Sequence, residues 1–318
     1  MLPLPAGARP PLLAVLGPTA TGKSALAIAL AHRYGGEIVN CDSTAVYRRF
    51  DIGTDKVPLE QQGGVPHHLI DLVDPTAVYS AAHFVRDAAA CIRDISARGR
   101  LPIVVGGTGF YFRALTQGLF DGPGRDVVLR ARLRAIAVRR GVEFLHRMVA
   151  RVDRASAARI MPRDEMRLVR ALEVWRLTGK PLSAHFADTR PPLPEYQVTA
   201  LGLSLPLPVI GERVARRVDA QWRRGVVREV EALLADGVPR TAHPFTGLVY
   251  RQILDMLDGV RDEAATRALI VRENRQYARR QLIWFRKDPT LHWLDGAGEW
   301  PTTVAAACTA LESRGVSR

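Results

Sequence analysis

Cysteine is scarce in this chain, and that scarcity removes two classes of protein at once. Cys41, Cys91 and Cys308 are the only three in 318 residues. They are far apart and form no Cys-x-x-Cys pair, which argues against a disulfide framework and a zinc site and leaves reduced, mostly buried thiols. Long apolar runs are missing too. No stretch approaches the roughly 20 residues of a transmembrane helix. The opening Met1 to Pro11 is too rich in proline, and lacks the charged start, of a secretory signal, so a cytoplasmic protein is expected. Acidic residues are in deficit: 32 Asp and Glu face 45 Lys and Arg, a formal net charge of +13 that points to a polyanionic partner. The adjacent His67 and His68 point different ways with no Cys/His set around them, which disfavours a metal site. No internal repeat or low-complexity tract occurs. With 47% hydrophobic and 24% charged residues, the chain is long enough for one large core or two domains.

Against these absences stands one strong pattern, Gly17-Pro18-Thr19-Ala20-Thr21-Gly22-Lys23-Ser24, which matches Gly-x-x-x-x-Gly-Lys-[Ser/Thr] at every fixed position. The apolar run Leu12 to Leu16 reads as a buried parallel strand leading in, and Ala25 to Ala31 as a helix leading out. Glycines let the backbone curl so that successive N–H groups meet phosphate oxygens; Lys23 adds a charge, and the Ser24 hydroxyl can touch a Mg²⁺ ion. A kinase or ATPase should also have a strand ending in an acid that helps hold Mg²⁺. Leu101 to Val105 is such a strand, but it runs into Gly106-Gly107-Thr108 without one. A carboxylate follows a different strand, Glu37 to Cys41, as Asp42. Ligands bind outside the carboxyl ends of parallel strands, so Asp42, Thr108 and the phosphate loop should converge on one crevice, a diphosphate site with a nearby base. Tyr47 and Tyr111 are expected to line it. Glu173 and Asp71 are weaker candidates for the base.

The first part, to about Phe120, alternates strands with helices such as Ala81 to Ser96, the pattern of a doubly wound parallel sheet. Beyond Asp121 the pattern is helical and arginine-rich: Leu129, Leu133 and Ile136 recur at helical spacing among Arg130, Arg132, Arg134, Arg139 and Arg140. A second helix, Asp164 to Leu177, stops at Thr178-Gly179-Lys180-Pro181. Prolines 191, 192 and 194 mark a linker, after which Gln197 to Leu203 reads as a strand returning to the sheet. The chain is thus expected to be an α/β protein, a P-loop NTPase-like doubly wound parallel sheet, with 1–120 the first part of the core, 121–195 an inserted all-helical domain, and 196–318 a mostly helical completion. Two long helices follow the linker. Val214, Val218 and Trp222 share a face of the first, with Arg213, Arg216, Arg217, Arg223 and Arg224 around them; the last runs from about Glu263 to Arg286. Their arginines read as walls of an RNA channel. Trp222, Trp284 and Trp293 read as packing residues rather than base-stacking ones.

At these residues the chain resembles the tRNA dimethylallyltransferases, or tRNA isopentenyltransferases, of bacterial type. Besides the phosphate loop, the resemblance rests on Asp42-Ser43-x-x-x-Tyr47, Asp51 to Thr54, Pro66 to Asp71, and Tyr79-Ser80 with Phe84. It continues through Gly106 to Thr108, Arg167 with Arg170 to Val174, Tyr250-Arg251-Gln252, and Arg275 to Gln281 with Trp284. Three residues depart from the family pattern: Val249 for a glycine before Tyr250, Asn274 for a threonine before Arg275, and Val57 for the proline after Lys56. None lies in the phosphate loop or at Asp42, so the departures are expected to bear on local tRNA contacts.

The resemblance implies transfer of a dimethylallyl group from dimethylallyl diphosphate to N6 of the adenosine on the 3′ side of the anticodon, with release of diphosphate. It implies Asp42 as base, Thr108 hydrogen-bonding near the same nitrogen or the diphosphate bridge, Gly17 to Ser24 around the diphosphate, and Mg²⁺ through Ser24. Contacts to the tRNA anticodon stem-loop would fall to Asp42, Ser43, Thr44, Ala45, Arg130, Met166, Arg167, Leu168, Val169, Arg170, Tyr250, Arg251 and Gln281. The protein is expected to be a monomer without membrane attachment. Three other readings share parts of the pattern. A kinase shares the loop and sheet, an RNA-binding protein without activity shares the charge, and an adenylate isopentenyltransferase acting on free AMP lacks a use for the basic insertion.

Overall fold

The structure, a computed structural model, describes residues 9–120 and 122–316. Residues 1–8 of the segment weighed as a secretory signal, and Asp121 at the start of the expected insertion, lie outside that range. By its internal contacts the chain forms two compact units, Met1–Thr116 with Leu193–Arg318, and Gln117–Pro192.

The first unit is built on a parallel sheet. Strand β1 (Pro11–Leu16) is followed by helix α1 (Lys23–Tyr34), β2 (Gly36–Asn40), the two-residue β3 (His67–His68), α2 (Ala81–Ala97), β4 (Leu101–Gly106) and α3 (Gly109–Gln117). Apolar residues run unbroken along β1 because both of its faces are covered: Leu12, Ala14 and Leu16 enter one core, Leu13 and Val15 the other.

The second unit is helical: α4 (Val127–Arg140), α5 (Val142–Val152), α6 (Arg154–Arg159), α7 (Glu165–Thr178) and α8 (Leu182–Ala187). Leu133, Leu145, Val149, Leu168, Leu172 and Leu182 form its core. Helix α7 starts where Asp164 caps the Arg167 N–H and ends on Gly179 in the left-handed conformation.

The chain then returns to the sheet as β5 (Gln197–Ser204), continues through α9 (Leu207–Arg223), α10 (Val226–Ala235), α11 (Tyr250–Leu257) and α12 (Glu263–Phe285), and closes with β6 (Leu291–Asp295) and α13 (Pro301–Glu312). The strand order is β3-β2-β4-β1-β5-β6, with every pairing parallel. The doubly wound sheet expected from the sequence is present; β3 and β6, its edges, were not read there, being short or masked by polar alternation. Because β2, β4 and β1 are neighbours, the three turns at their carboxyl ends lie side by side. No helix among the described residues is long and apolar enough to cross a membrane.

Val249 carries visible strain. This buried, β-branched residue precedes α11 with φ 76° and ψ −61°, a rare three-residue turn geometry. Truncation to alanine keeps the strain and loses packing, so Val249→Ala is expected to cost about 1–2 kcal/mol. Glycine takes this backbone freely, and relief of about 1 kcal/mol or more should leave Val249→Gly at least as stable as the alanine variant. Denaturant midpoints decide; a glycine variant clearly below the alanine one rules out the strain.

Candidate active site

The phosphate loop is held from behind so that its N–H groups face forward. The Pro18 carbonyl accepts from Thr21 Oγ1 (2.9 Å) and Lys23 Nζ (2.7 Å), the Ala20 carbonyl from Arg213 Nε (2.6 Å), and the Thr21 carbonyl from the Gly298 N–H (2.9 Å). The N–H groups of Ala20, Thr21 and Gly22 have no protein acceptor among the described residues, and unpaired amides at a helix start are an anion site. Gly22 needs to be glycine twice over. Its φ is 85°, and a Cβ there would lie 2.1 Å from Glu299 Oε2 and 2.7 Å from the Gly298 nitrogen. Gln281 braces the front of the loop: its Oε1 accepts from the Thr19 N–H, and its Nε2 donates to the Gly107 carbonyl after β4, each at 2.9 Å.

Asp42 follows β2. Its Oδ1 accepts from the Thr44 N–H (2.8 Å), the Thr44 hydroxyl (2.7 Å) and the Ala45 N–H (3.3 Å), while Oδ2 has no protein partner among the described residues. One oxygen is therefore spent on fixing the turn, and the other is available to a proton.

Two cavities of the first unit meet at this carboxylate. One, about 570 Å³, is lined by Thr19, Ala20, Gly22, Lys23 and Ser24 of the phosphate loop, by Gly106 and Gly107, and by Arg213, Arg216, Arg217 and Arg224. The other, about 590 Å³, is lined by Ser43, Thr44, His243, Arg251, Glu273 and Arg280 among others. Thr19, Asp42, Thr54, Asp55, Arg217 and Tyr277 line both. Burial first, and then the Asp42 charge, pushes the Tyr277 hydroxyl up to about 12, so it remains a neutral donor.

The sequence reads the arginines of α9 as walls of an RNA channel; in the structure Arg213, Arg216, Arg217 and Arg224 line the first cavity, and Arg217 lines the second as well. Arg213 and Arg217 are four residues apart, hence on one helical face. Arg213 pairs with Glu299 (2.6 Å) while holding the Ala20 carbonyl; Arg217 donates to Thr19 Oγ1 (2.6 Å) and lies 3.5 Å from Asp55, and its buried Nε has no partner. Burial first and Arg217 second hold the Lys23 ammonium down at about 8, against the opposite pull of Asp42 and Asp55.

Several expected site residues stand elsewhere. Thr108 lines neither cavity; its hydroxyl accepts from the Ser43 N–H (3.3 Å) and so steadies the Asp42 turn. Tyr47 is fully buried, and Tyr111 is buried and stacked on Phe84 at 4.5 Å. Tyr277, about four turns into a helix that carries no glycine signal, takes the place expected of them. Tyr250 lines the second cavity but spends its buried hydroxyl on Glu229 (2.7 Å) and the Gly53 N–H (3.1 Å), and Gln281 spends its amide on the Thr19 N–H and the Gly107 carbonyl. Ala45 and Val57 line the first cavity. His67 also lines it, but no group of three or more His, Cys, Asp or Glu among the described residues could hold a metal.

In the helical unit, Leu168 and Val169 are core residues whose side chains cannot reach a partner, whereas Met166 and Arg167 are exposed. Arg130 and Arg170 are committed to the fully buried Glu173, which takes Arg130 through both oxygens (2.7 and 2.8 Å), Arg170 at 2.7 Å and the Asp126 N–H at 2.9 Å. Burial alone would raise the Glu173 carboxyl, but these donors outweigh it and hold it at about 2. Glu173 is a brace and no base. Removing Arg170 would take one ion-pair partner from a buried charge, so Arg167 is the cleaner probe of RNA contact. Asp71 is likewise paired, to Lys56.

Residues 45–288 match the family described as IPP transferase. A tRNA dimethylallyltransferase of Koribacter versatilis is 44% identical over 298 residues, 94% of this chain and 97% of the relative. The solved full-length tRNA isopentenylpyrophosphate transferase of Bacillus halodurans is similar at TM-score 0.71 and 35% identity, covering 96% of this chain and 98% of that one. A eukaryotic dimethylallyltransferase acting on tRNA is similar at TM-score 0.80 and 26% identity, covering 96% and 79%. With a phosphate loop, a strand-end aspartate and matches of this length in place, the chain belongs to the IPP transferase family.

Proposed function

We propose that this protein transfers the dimethylallyl group of dimethylallyl diphosphate to N6 of adenosine 37 in tRNA, beside the anticodon, releasing diphosphate. The observation that carries this is the meeting of two cavities at Asp42, one walled by unpaired loop amides and arginines, the other by hydrogen-bonding side chains. Diphosphate occupies the first and the extruded adenine the second, so the allylic carbon and N6 face each other across Asp42. Extrusion costs a few kcal/mol, offset by contacts to the anticodon stem-loop. The names of the relatives support the same pair of substrates.

In the reaction the allylic C–O bond breaks and its electron pair leaves with the diphosphate, the N6–C bond forms, and the N6 proton passes to Asp42 Oδ2. An aromatic amine is a weak nucleophile, which is why a base is needed. The loop N–H groups, Lys23 and Arg217 bind the charge that gathers on the leaving group. Thr108 acts through Ser43 on the position of Asp42. Mg²⁺ fits here: the Ser24 hydroxyl lines the cavity without a protein partner among the described residues, and this ion suits one or two protein oxygens completed by phosphate and water. Bound through Ser24, it would neutralise diphosphate charge. Exposed Met166, Arg167 and Arg251 are offered to the tRNA. The protein works in the cytoplasm as a monomer.

Incubation with labelled dimethylallyl diphosphate and either total tRNA or AMP tests this. Label in tRNA is expected; label in AMP alone assigns the chain to free-nucleotide chemistry, and hydrolysis of ATP without prenyl transfer would make it a kinase-type enzyme.

A further inference from the structure

We propose that Asn274 is a positioning residue for Arg217, holding the plane of its guanidinium toward the diphosphate without cancelling its charge. This rests on reading the first cavity as the diphosphate site. Asn274 lies on α12, 4% exposed, and its orientation is determined by its two partners. The Ile270 carbonyl can only accept, so it takes Nδ2 at 3.0 Å, and the Arg217 guanidinium can only donate, so Nη2 meets Oδ1 at 3.2 Å. With Nη1 on Thr19 Oγ1, the guanidinium is tied at two nitrogens between α12 and the phosphate loop. The third nitrogen, Nε, is buried and unpartnered in a residue that lines the cavity, the arrangement of a cation waiting for an anion.

The residue type matters. A threonine here is one atom shorter, and its hydroxyl would bond back to the Ile270 carbonyl, leaving Nη2 without an acceptor. An aspartate would reach Arg217 but pair with it and compete with diphosphate. The amide holds the guanidinium and leaves its charge, apart from Asp55 at 3.5 Å, for the ligand. Asn274 departs from the family pattern, and such departures are expected to bear on tRNA contacts; under this proposal the effect at Asn274 also extends through Arg217 to Thr19 of the phosphate loop.

The test is a double-mutant cycle read as affinity of the full-length protein for inorganic diphosphate by calorimetry, with thermal denaturation to confirm folding. Asn274→Ala is expected to weaken binding about tenfold, the scale of a lost hydrogen bond to a charged group. Asn274→Thr, which keeps the Ile270 contact and so the helix, should lose a similar factor, and Asn274→Asp more. In an Arg217→Ala background, Asn274→Ala should cost nothing further. Undiminished affinity in Asn274→Ala and Asn274→Thr overturns the proposal, as does an equal loss in both backgrounds while Arg217→Ala itself weakens binding. If Arg217→Ala leaves diphosphate affinity unchanged, the diphosphate role of Arg217 fails as well, and the two failures are thereby told apart.

Discussion

Asp42→Asn is expected to lower the single-turnover rate of prenyl transfer by about 10²- to 10⁴-fold, the range that a positioned general base supplies, while tRNA and donor affinities stay near those of the parent. The geometry makes this substitution clean. Its amide oxygen can keep the three bonds that Oδ1 accepts from Thr44 and Ala45, so the turn should survive. The amide nitrogen then replaces Oδ2, which alone is left to take a proton. Equal losses of rate and of affinity would point to a collapsed turn instead, and a rate within a few-fold of the parent removes Asp42 from the role.

Lys23→Ala is expected to weaken donor binding and to slow the bond-breaking step together, by about 10²-fold or more in the latter, because the ammonium meets phosphate charge in the ground state and more of it as the C–O bond breaks. The pH dependence carries a second signature. In the free protein burial and Arg217 hold Lys23 down at about 8. The charged form is the one that binds, so its contribution is complete below pH 8 and declines as pH rises through that value. Diphosphate binding favours the charged form, so above pH 8 it should take up a proton, visible as a dependence of the calorimetric heat on buffer. Comparing parent with Lys23→Ala removes the titration of the ligand itself. An unchanged rate at saturating donor would leave Lys23 a binding role alone, and parallel pH profiles would remove the depressed titration.

Much of this molecule was legible in one dimension because its signals are local. The loop from Gly17 to Ser24 depends on backbone curl and a helix start, both set by residues next to one another, and the unbroken run in β1 reports a strand covered on both faces. Asp42 was legible because strand ends collect ligands wherever the sheet is parallel. Helix limits such as Asp164 and Gly179 followed from caps.

What lay outside the sequence was decided by contacts between distant residues. Arginine on α9 looks the same whether it meets RNA or a phosphate loop; packing of that helix beside Thr19 and Ala20 brought Arg213 and Arg217 onto the phosphate loop. Arg130 and Arg170 look like surface cations until Glu173, 43 and 3 positions away, is found buried between them. Tyr47 and Tyr111 gave way to Tyr277 because a motif locates its residues along the chain but not the direction in which their side chains point. Gln281 reaches the loop, and Asn274 reaches Arg217 beside it, only because α12 crosses there. The sequence by itself determined the inner strands of the sheet, the phosphate loop and the strand-end carboxylate; the tertiary structure decided which charges face that loop, because a charge acts through its nearest neighbours in space, and those are supplied by residues hundreds of positions away.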